Sequence, residues 1–402
     1  MQAAPRGLRL QIGIFGKRNA GKSSLLNALA GQDIVIVSDV PGTTADPVDK
    51  AMELSPVGPV LFIDTAGFDD DQEKIGSLRV ERSIRTLDRC DIAILVSAEW
   101  SNEDEAMLQR IRERDIPFIV VLNQFTDQEP AVPAGLEDRC VILSAKTGTG
   151  LAKLREKIIA LAPEDFLASD RMLGDLVEEH APVLLITPID KAAPKGRLIM
   201  PQVQAIRDAL DHHAYCVVVT EDCVEQALAD LKRQPCLAVT DSQIFGSVAK
   251  IIPDSIPLTS FSILLARMKG DLATCAAGAE VIRDLQDGAK VLIAEACTHH
   301  PAEEDIGRVK LPRWIREFTG KDISFTVVSG PDFPDDLSSY DLVIHCGACT
   351  FNRRAVLTRI LRCKEAGVPF TNYGVAIACV KGILPRTMSP FKTEKNPGDP
   401  QK

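Results

Sequence analysis

The chain has 402 residues, 45% of them apolar and 25% charged, the make-up of an ordinary globular protein long enough for about three domains. A net charge of −10 at pH 7 excludes a broad polyphosphate-binding surface, so bulk nucleic-acid binding is not expected. The N-terminal stretch 1–7 has no apolar export core and no run reaches a membrane span, so a cytoplasmic location with no membrane contact is expected. In that setting the 11 cysteines should stay reduced, and clustered ones should bind metal or do redox work.

Strand and helix alternate over about residues 8–162. Apolar, β-branched runs at 8–15, 60–64, 91–96 and 118–122 read as buried strands, and helical stretches separate them. That pattern predicts a mainly parallel sheet wrapped by helices. A junction begins at Pro163, and a second alternating block follows over about 175–260, with strands at 183–187, 216–220 and 237–240 and helices at 201–213 and 222–232. This block carries no catalytic motif, and His180, His212 and His213 read as helix or loop residues. The third block, about 261–385, has strands at 290–294, 323–328, 341–345 and around 369–372, with helices at 353–365 and 374–381. From Arg386 onward the Pro-, Lys- and Gly-rich tail reads as disordered.

Between the first strand and the first helix lies Gly16-x-x-x-x-Gly21-Lys22-Ser23. Such a loop presents backbone N–H groups to a phosphate chain at the positive end of a helix. Gly16, Asn19, Ala20, Gly21 and Ser24 would line it, Lys22 would reach the outer phosphates and Ser23 would ligate Mg²⁺. Three further elements follow in order. Thr43 and Thr44 lie in a candidate switch loop. Asp64-Thr65-Ala66-Gly67 ends a strand, with Asp64 placed for Mg²⁺ and Gly67 for the γ-phosphate. Ser144-Ala145-Lys146 ends the last strand, where a backbone N–H can meet a base carbonyl.

This set resembles the small GTPases of the tRNA-modification/Era-like branch. The resemblance implies that Asn19 coordinates a K⁺ ion standing in for an arginine finger. Position 68 is Phe in place of a water-positioning Gln, and Glu73, before Ile75-Gly76, fits the branch's acidic switch residue. The base-reading motif departs from Asn-Lys-x-Asp: the chain reads Asn123-Gln124-Phe125-Thr126, with Asp127 one place late. Loss of the aspartate's paired bonds to guanine should cost about 1.5–3 kcal/mol, unless Asp127 swings in through a one-residue shift.

Cys297-x-His299 and His345-Cys346-x-x-Cys349 supply three thiols and two imidazoles. By ligand type these suit either a structural zinc or an iron–sulfur cluster. Both groups follow predicted strands, so they gather at the carboxyl ends of an α/β sheet, where active sites form. The other eight cysteines lack metal-ligand spacing and read as core residues.

Cys-x-His and His-Cys-x-x-Cys, at this spacing downstream of a GTPase domain, resemble the [FeFe]-hydrogenase maturation GTPases. The stretches 188–197, 240–243 and 371–374 support the likeness. It implies an α/β chain of an N-terminal P-loop GTPase domain (1–165), a small α/β dimerisation domain (166–260), a C-terminal α/β iron–sulfur cluster-binding domain (261–385) and the tail 386–402. It further implies GTP and Mg²⁺, K⁺ activation, and a [4Fe–4S] cluster on Cys297, Cys346 and Cys349 with His299 and His345 as exchangeable ligands. A transient diiron precursor, delivery to apo-[FeFe]-hydrogenase, radical-SAM maturation enzymes as partners and a homodimer complete the implied picture. An iron held by only three cysteines is open to an external ligand, which suits a scaffold that grips and later releases a metal-organic unit. The rival is a zinc-stabilised regulatory GTPase acting on ribosome or tRNA.

Overall fold

The computed structural model describes residues 5–31, 36–39, 48–54, 57–65, 67, 84–125, 130–163, 172–189, 198–297, 305–330 and 332–391. It divides into two compact units, Met1–Asp170 and Arg171–Lys402.

The first unit is built on a seven-stranded sheet in the order β2-β3-β4-β1-β5-β6-β7. Its strands are β1 (Leu10–Gly16), β2 (Ile36–Asp39), β3 (Val48–Leu54), β4 (Gly58–Asp64), β5 (Ile92–Ser97), β6 (Phe118–Asn123) and β7 (Cys140–Leu143). β3 runs antiparallel to both of its neighbours. The pairs β4–β1–β5–β6–β7 are parallel. β1 is buried along its whole length, as a central strand covered on both faces must be. Successive residues feed opposite faces: Ile12 and Ile14 join one hydrophobic cluster with Leu25 and Leu29, whereas Phe15 joins another with Leu108 and Ile111. Helices α1 (Lys22–Ala30), α2 (Asn102–Glu113) and α3 (Leu151–Leu161) supply the covering side chains. α2 starts on a capping box in which Ser101 and Asp104 exchange side-chain-to-backbone bonds.

The second unit holds two four-stranded parallel sheets. The first has the order β11-β10-β8-β9, from β8 (Pro182–Ile186), β9 (Tyr215–Val219), β10 (Leu237–Thr240) and β11 (Leu258–Ser260). The second has the order β13-β12-β14-β15, from β12 (Lys290–Glu295), β13 (Ser324–Ser329), β14 (Leu342–His345) and β15 (Phe370–Asn372). The sequence divides these sheets between two domains at 260/261, yet they share one hydrophobic cluster. Val183, Leu185 and Val239 of the first sheet pack in it with Val291, Ile293 and Val343 of the second. Between them run α7 (Phe261–Lys269) and α8 (Leu272–Glu280), and α10 (Arg353–Glu365) and α11 (Tyr373–Val380) follow β14 and β15.

The 371–374 stretch is structural cement. Thr371 Oγ1 donates to Cys275 O on α8 at 2.7 Å. Asn372 caps α11 by accepting from Val375 N and donates to Ser262 O and Oγ on α7. Residues 386–391, read from the sequence as the start of a disordered tail, instead form the end of a short helix and a 3-10 turn, and 392–402 lie outside the described residues. The Arg386 guanidinium donates to the carbonyls of Ala249, Ile252 and Pro253, and Phe391 is buried near Arg267. A lysine- and proline-rich composition does not reveal that one arginine can satisfy the orphan carbonyls at a helix C-terminus.

Candidate functional site

In the first unit the glycine loop joins β1 to α1 as its sequence predicts. Gly21 has φ +92°, and a Cβ there would lie 2.0 Å from Asn123 Nδ2, so no side chain fits. Asn19 also takes the left-handed conformation, with φ 62°, which asparagine tolerates. Lys22 is buried and its ammonium donates to the carbonyls of Gly16 at 2.9 Å and Lys17 at 2.7 Å, curling the loop around it. Ser23 Oγ donates to Asp64 Oδ2 at 2.6 Å.

Asp64 carries the information about a cation. Burial pushes its carboxyl above the usual carboxylate range, against the opposing pull of Ser23, Lys22 and Lys50. Its second oxygen, Oδ1, is buried with no hydrogen-bond partner. An orphaned carboxylate oxygen beside a serine hydroxyl at a phosphate loop is the donor set a hard divalent cation requires. Ser23 and Asp64 therefore fit Mg²⁺.

The base side of the site hangs on Asn123. Its Nδ2 donates to Ala20 O at 3.2 Å and its Oδ1 accepts from Ala145 N at 3.1 Å. One amide thus ties the phosphate loop to the Ser144–Lys146 loop, of which Asn123 engages the Ala145 N–H. The Ser144 carbonyl accepts from Gly148 N, which closes that loop. Thr65 Oγ1 bonds Ile14 O at 2.7 Å and anchors the end of β4 beside β1, with Gly67 two residues on. Ser24 is exposed at the start of α1, and Phe125 is 62% exposed. Thr43, Thr44, Glu73 and Asp127 lie outside the described residues.

In the second unit Cys297 follows β12, and Cys346 and Cys349 follow β14, at the carboxyl ends of adjacent parallel strands. Cys346 Sγ accepts from Ala296 N at 3.1 Å and Ala348 N at 3.4 Å. Burial pushes this thiol up to about 12, those two N–H groups pull it back, and the Cys349 and Cys297 sulfurs lie near enough to raise it. Burial also raises Cys349, and the Lys269 ammonium opposes that rise. Ala348 bends the Cys346–Cys349 turn with φ 53°, a left-handed conformation that costs a non-glycine residue about 1 kcal/mol.

Among the described residues no three His, Cys, Asp or Glu side chains converge on one point closely enough to hold a single metal ion. His299 lies outside them. The donor chemistry fits a cluster all the same. The two N–H groups on the Cys346 sulfur would steady the thiolate once metal displaces its proton, and an iron–sulfur cube spans more space than one ion.

His345 is buried, and its ring has no nitrogen left for a metal as it stands. Nδ1 lies 2.8 Å from Cys346 O, and Nε2 lies 2.9 Å from Arg359 Nη1. Because the guanidinium can only donate, Nε2 accepts and Nδ1 carries the proton. Burial, reinforced by the Arg359 charge, depresses this imidazole to about 3 and keeps it neutral.

Sequence reasoning missed the polar groups around the cysteines. Glu295, at the end of β12, accepts from Ser329 Oγ at 3.0 Å and pairs with Arg308 at 3.3 Å, with Tyr373 OH at 3.5 Å. Lys269 and Arg359 are 2% and 5% exposed, far below the norm for such residues. The one available signal was position: Glu295 ends an apolar strand, and Lys269 ends a helix in which seven residues are buried.

The phosphate loop, the Ser23–Asp64 pair and the Asn123 tie define the first unit as a P-loop GTPase domain, and its relatives agree. The family described as 50S ribosome-binding GTPase matches residues 11–124. The tRNA modification GTPase MnmE of Prochlorococcus marinus (strain NATL1A) is 41% identical over 150 residues, covering 35% of this chain and 32% of that protein. MnmE of Acidovorax sp. (strain JS42) is 38% identical over 179 residues, covering 40% and 38%. The match thus spans about a third of the length of these curated relatives. Among solved structures, Aquifex aeolicus Era aligns at 23% identity and a TM-score of 0.31, covering 52% of this chain and 92% of that one. The G domain of T. maritima FeoB aligns at 24% and 0.30, covering 39% and 99%.

The second unit specifies the family. Hydrogen maturase F dimerization domain matches residues 172–270, and Hydrogen maturase F tetramerization domain matches 273–390. The chain belongs to the hydrogen maturase F family.

Proposed function

We propose that this chain is a GTP-hydrolysing iron–sulfur scaffold that assembles or delivers the diiron subcluster precursor to apo-[FeFe]-hydrogenase. The observation that supports it above all is the pairing, on one chain, of a complete phosphate loop with three thiols at adjacent strand ends.

In the N-terminal unit Lys22 would leave the carbonyls of Gly16 and Lys17 to meet the outer phosphates, and the N–H groups opening α1 would hold the rest of the chain. Ser23 and Asp64 would hold Mg²⁺, which when bound spreads and neutralises the charge of the transferring phosphoryl group. Asn19 would hold K⁺, Thr43 and Thr44 would complete the switch side with Thr44 joining Ser23 and Asp64 on Mg²⁺, Gly67 would sense the γ-phosphate and Glu73 would assist the attacking water. Asn123 shapes the base pocket, and Asp127 would read guanine if its segment shifts by one residue. Nucleotide state would then reach the radical-SAM maturation enzymes through the switch loops.

In the second unit Cys297, Cys346 and Cys349 would ligate a [4Fe–4S] cluster, which when bound offers an iron with an open coordination position. His299 remains the candidate exchangeable ligand; His345 supports the Cys346 carbonyl instead. Homo-oligomerisation uses the exposed apolar residues on β9 and on the preceding helix, α4 (Met200–Asp211): Tyr215, Val218, Val203 and Leu210.

EPR of the anaerobically reconstituted, dithionite-reduced protein tests the reading. A [4Fe–4S]⁺ signal that shifts with added imidazole or cyanide, together with faster GTP turnover in K⁺ than in Na⁺, is the expected result. A silent sample carrying one zinc per chain would sink the scaffold role and favour a zinc-stabilised GTPase acting on ribosome or tRNA.

A further inference from the structure

Two buried cations converge on the cysteine turn from separate helices. Lys269, the last residue of α7, donates to Ala348 O at 3.0 Å, Cys349 O at 3.2 Å and Phe351 O at 2.7 Å. Arg359, in the middle of α10, donates to His345 Nε2 at 2.9 Å and to Gly330 O at 2.7 Å. Its guanidinium lies over the rings of both Phe333 and Phe351, at 4.8 and 4.7 Å from their centroids. His345 then passes the chain of bonds to Cys346 O. The carbonyls of Cys346, Ala348 and Cys349 therefore all answer to a cationic donor, directly or through one imidazole.

Burying an ammonium and a guanidinium costs free energy, part of which the Asp332 carboxylate offsets for Arg359. The cost is offset where an anionic group sits nearby, and three thiolates around a cluster are such a group. The cations also act on geometry. A left-handed alanine at 348 persists only if its surroundings over-determine it, and Lys269 grips that residue's carbonyl and the next.

Resting on the cluster assignment above, we propose that Lys269 and Arg359 form a buried cationic cradle that fixes the Cys346–Cys349 turn and raises the reduction potential of the group held there. Reduction adds negative charge, and a fixed positive charge in a low-dielectric site stabilises the more negative state. Neither residue is a ligand; both are positioning residues.

The test uses the full-length protein reconstituted anaerobically with iron and sulfide. Bound iron per chain, the reduced EPR line shape and the midpoint potential would be measured for the unsubstituted protein and for Lys269→Met, Lys269→Arg and Arg359→Gln. Lys269→Met should retain a cluster, shift its midpoint to lower potential and broaden its signal. Lys269→Arg should bring the midpoint back toward that of the unsubstituted protein. Arg359→Gln, which keeps a donor for His345 but removes the charge, should also lower the midpoint, and it decides the matter if Lys269→Met fails to fold. Unchanged midpoints in the charge-removing variants, or an equal shift in Lys269→Arg and Lys269→Met, would overturn the cradle while leaving the cluster assignment intact. Absence of iron in the unsubstituted protein would instead bring down the cluster assignment, and the cradle with it.

Discussion

Asn123 and Lys22 show how single side chains organise the nucleotide site. Asn123 is buried and its amide satisfies one carbonyl and one N–H from two different loops. Asn123→Ala strands both groups, so stability should fall by about 2 kcal/mol in urea denaturation. Nucleotide affinity should fall with it, because the phosphate loop and the Ser144–Lys146 loop lose their common support. Lys22→Ala removes the cation that would meet the outer phosphates. GTP turnover should drop by at least ~100-fold in a phosphate-release assay, the scale of losing one preorganised electrostatic donor. An unchanged rate would mean that hydrolysis does not use this loop.

At the scale of elements, helix ends and close approaches set the second unit. Asp271 caps α8 by accepting from Thr274 N at 3.0 Å and also faces the Lys364 ammonium at 3.4 Å. Asp271→Ala should cost about 1 kcal/mol, read as a lower melting temperature. Burial tends to raise this carboxyl, but the Thr274 and Lys364 contacts outweigh it and hold the group below its ordinary value. A depressed carboxylate contributes stability above its unfolded value of about 3.9 and loses it as pH falls through the folded value. The gap between the parent and Asp271→Ala should thus narrow from about pH 5 to about pH 3. Gly278, also on α8, passes so close to β15 that a Cβ would sit 2.1 Å from Phe370 O. A backbone atom cannot give way as a flexible side chain can, so Gly278→Ala should destabilise by about 3 kcal/mol in the same denaturation assay.

At the scale of the molecule, the dimerization-domain match and the position of β9 point to one surface. β9 is an end strand of its sheet, and Tyr215 and Val218 on it are 44% and 42% exposed. An end strand of this kind, with no further strand beside it among the described residues, invites pairing with another copy. A double Tyr215→Lys, Val218→Lys variant should lower the mass seen by light scattering while leaving GTP turnover within about twofold, since lysine at an edge opposes pairing without disturbing a core. An unchanged mass would place the oligomer contact elsewhere. No helix of the described residues is long and apolar enough to cross a membrane.

The sequence by itself determined the periodic elements and the glycine loop, because both are written in local order. The run at 8–15 becomes β1 at Leu10–Gly16, and the helix read at 353–365 is Arg353–Glu365. Only the tertiary structure decided what depends on residues far apart in the chain. β3 is polar enough, as Val48-Asp-Lys-Ala-Met-Glu-Leu54, to escape an apolar-run search, and it becomes a strand because β4 offers it a ladder. The sequence likewise marks Cys297, Cys346 and Cys349 by spacing but does not connect them to Lys269 or Arg359, which lie 80 and 10 residues from Cys349. A ligand motif is local, whereas the charge that steadies it can come from any element the fold brings near. His345 makes the same point in reverse. Its position beside Cys346 suggests a ligand, and the burial of Arg359 against its ring turns it into a neutral hydrogen-bond link.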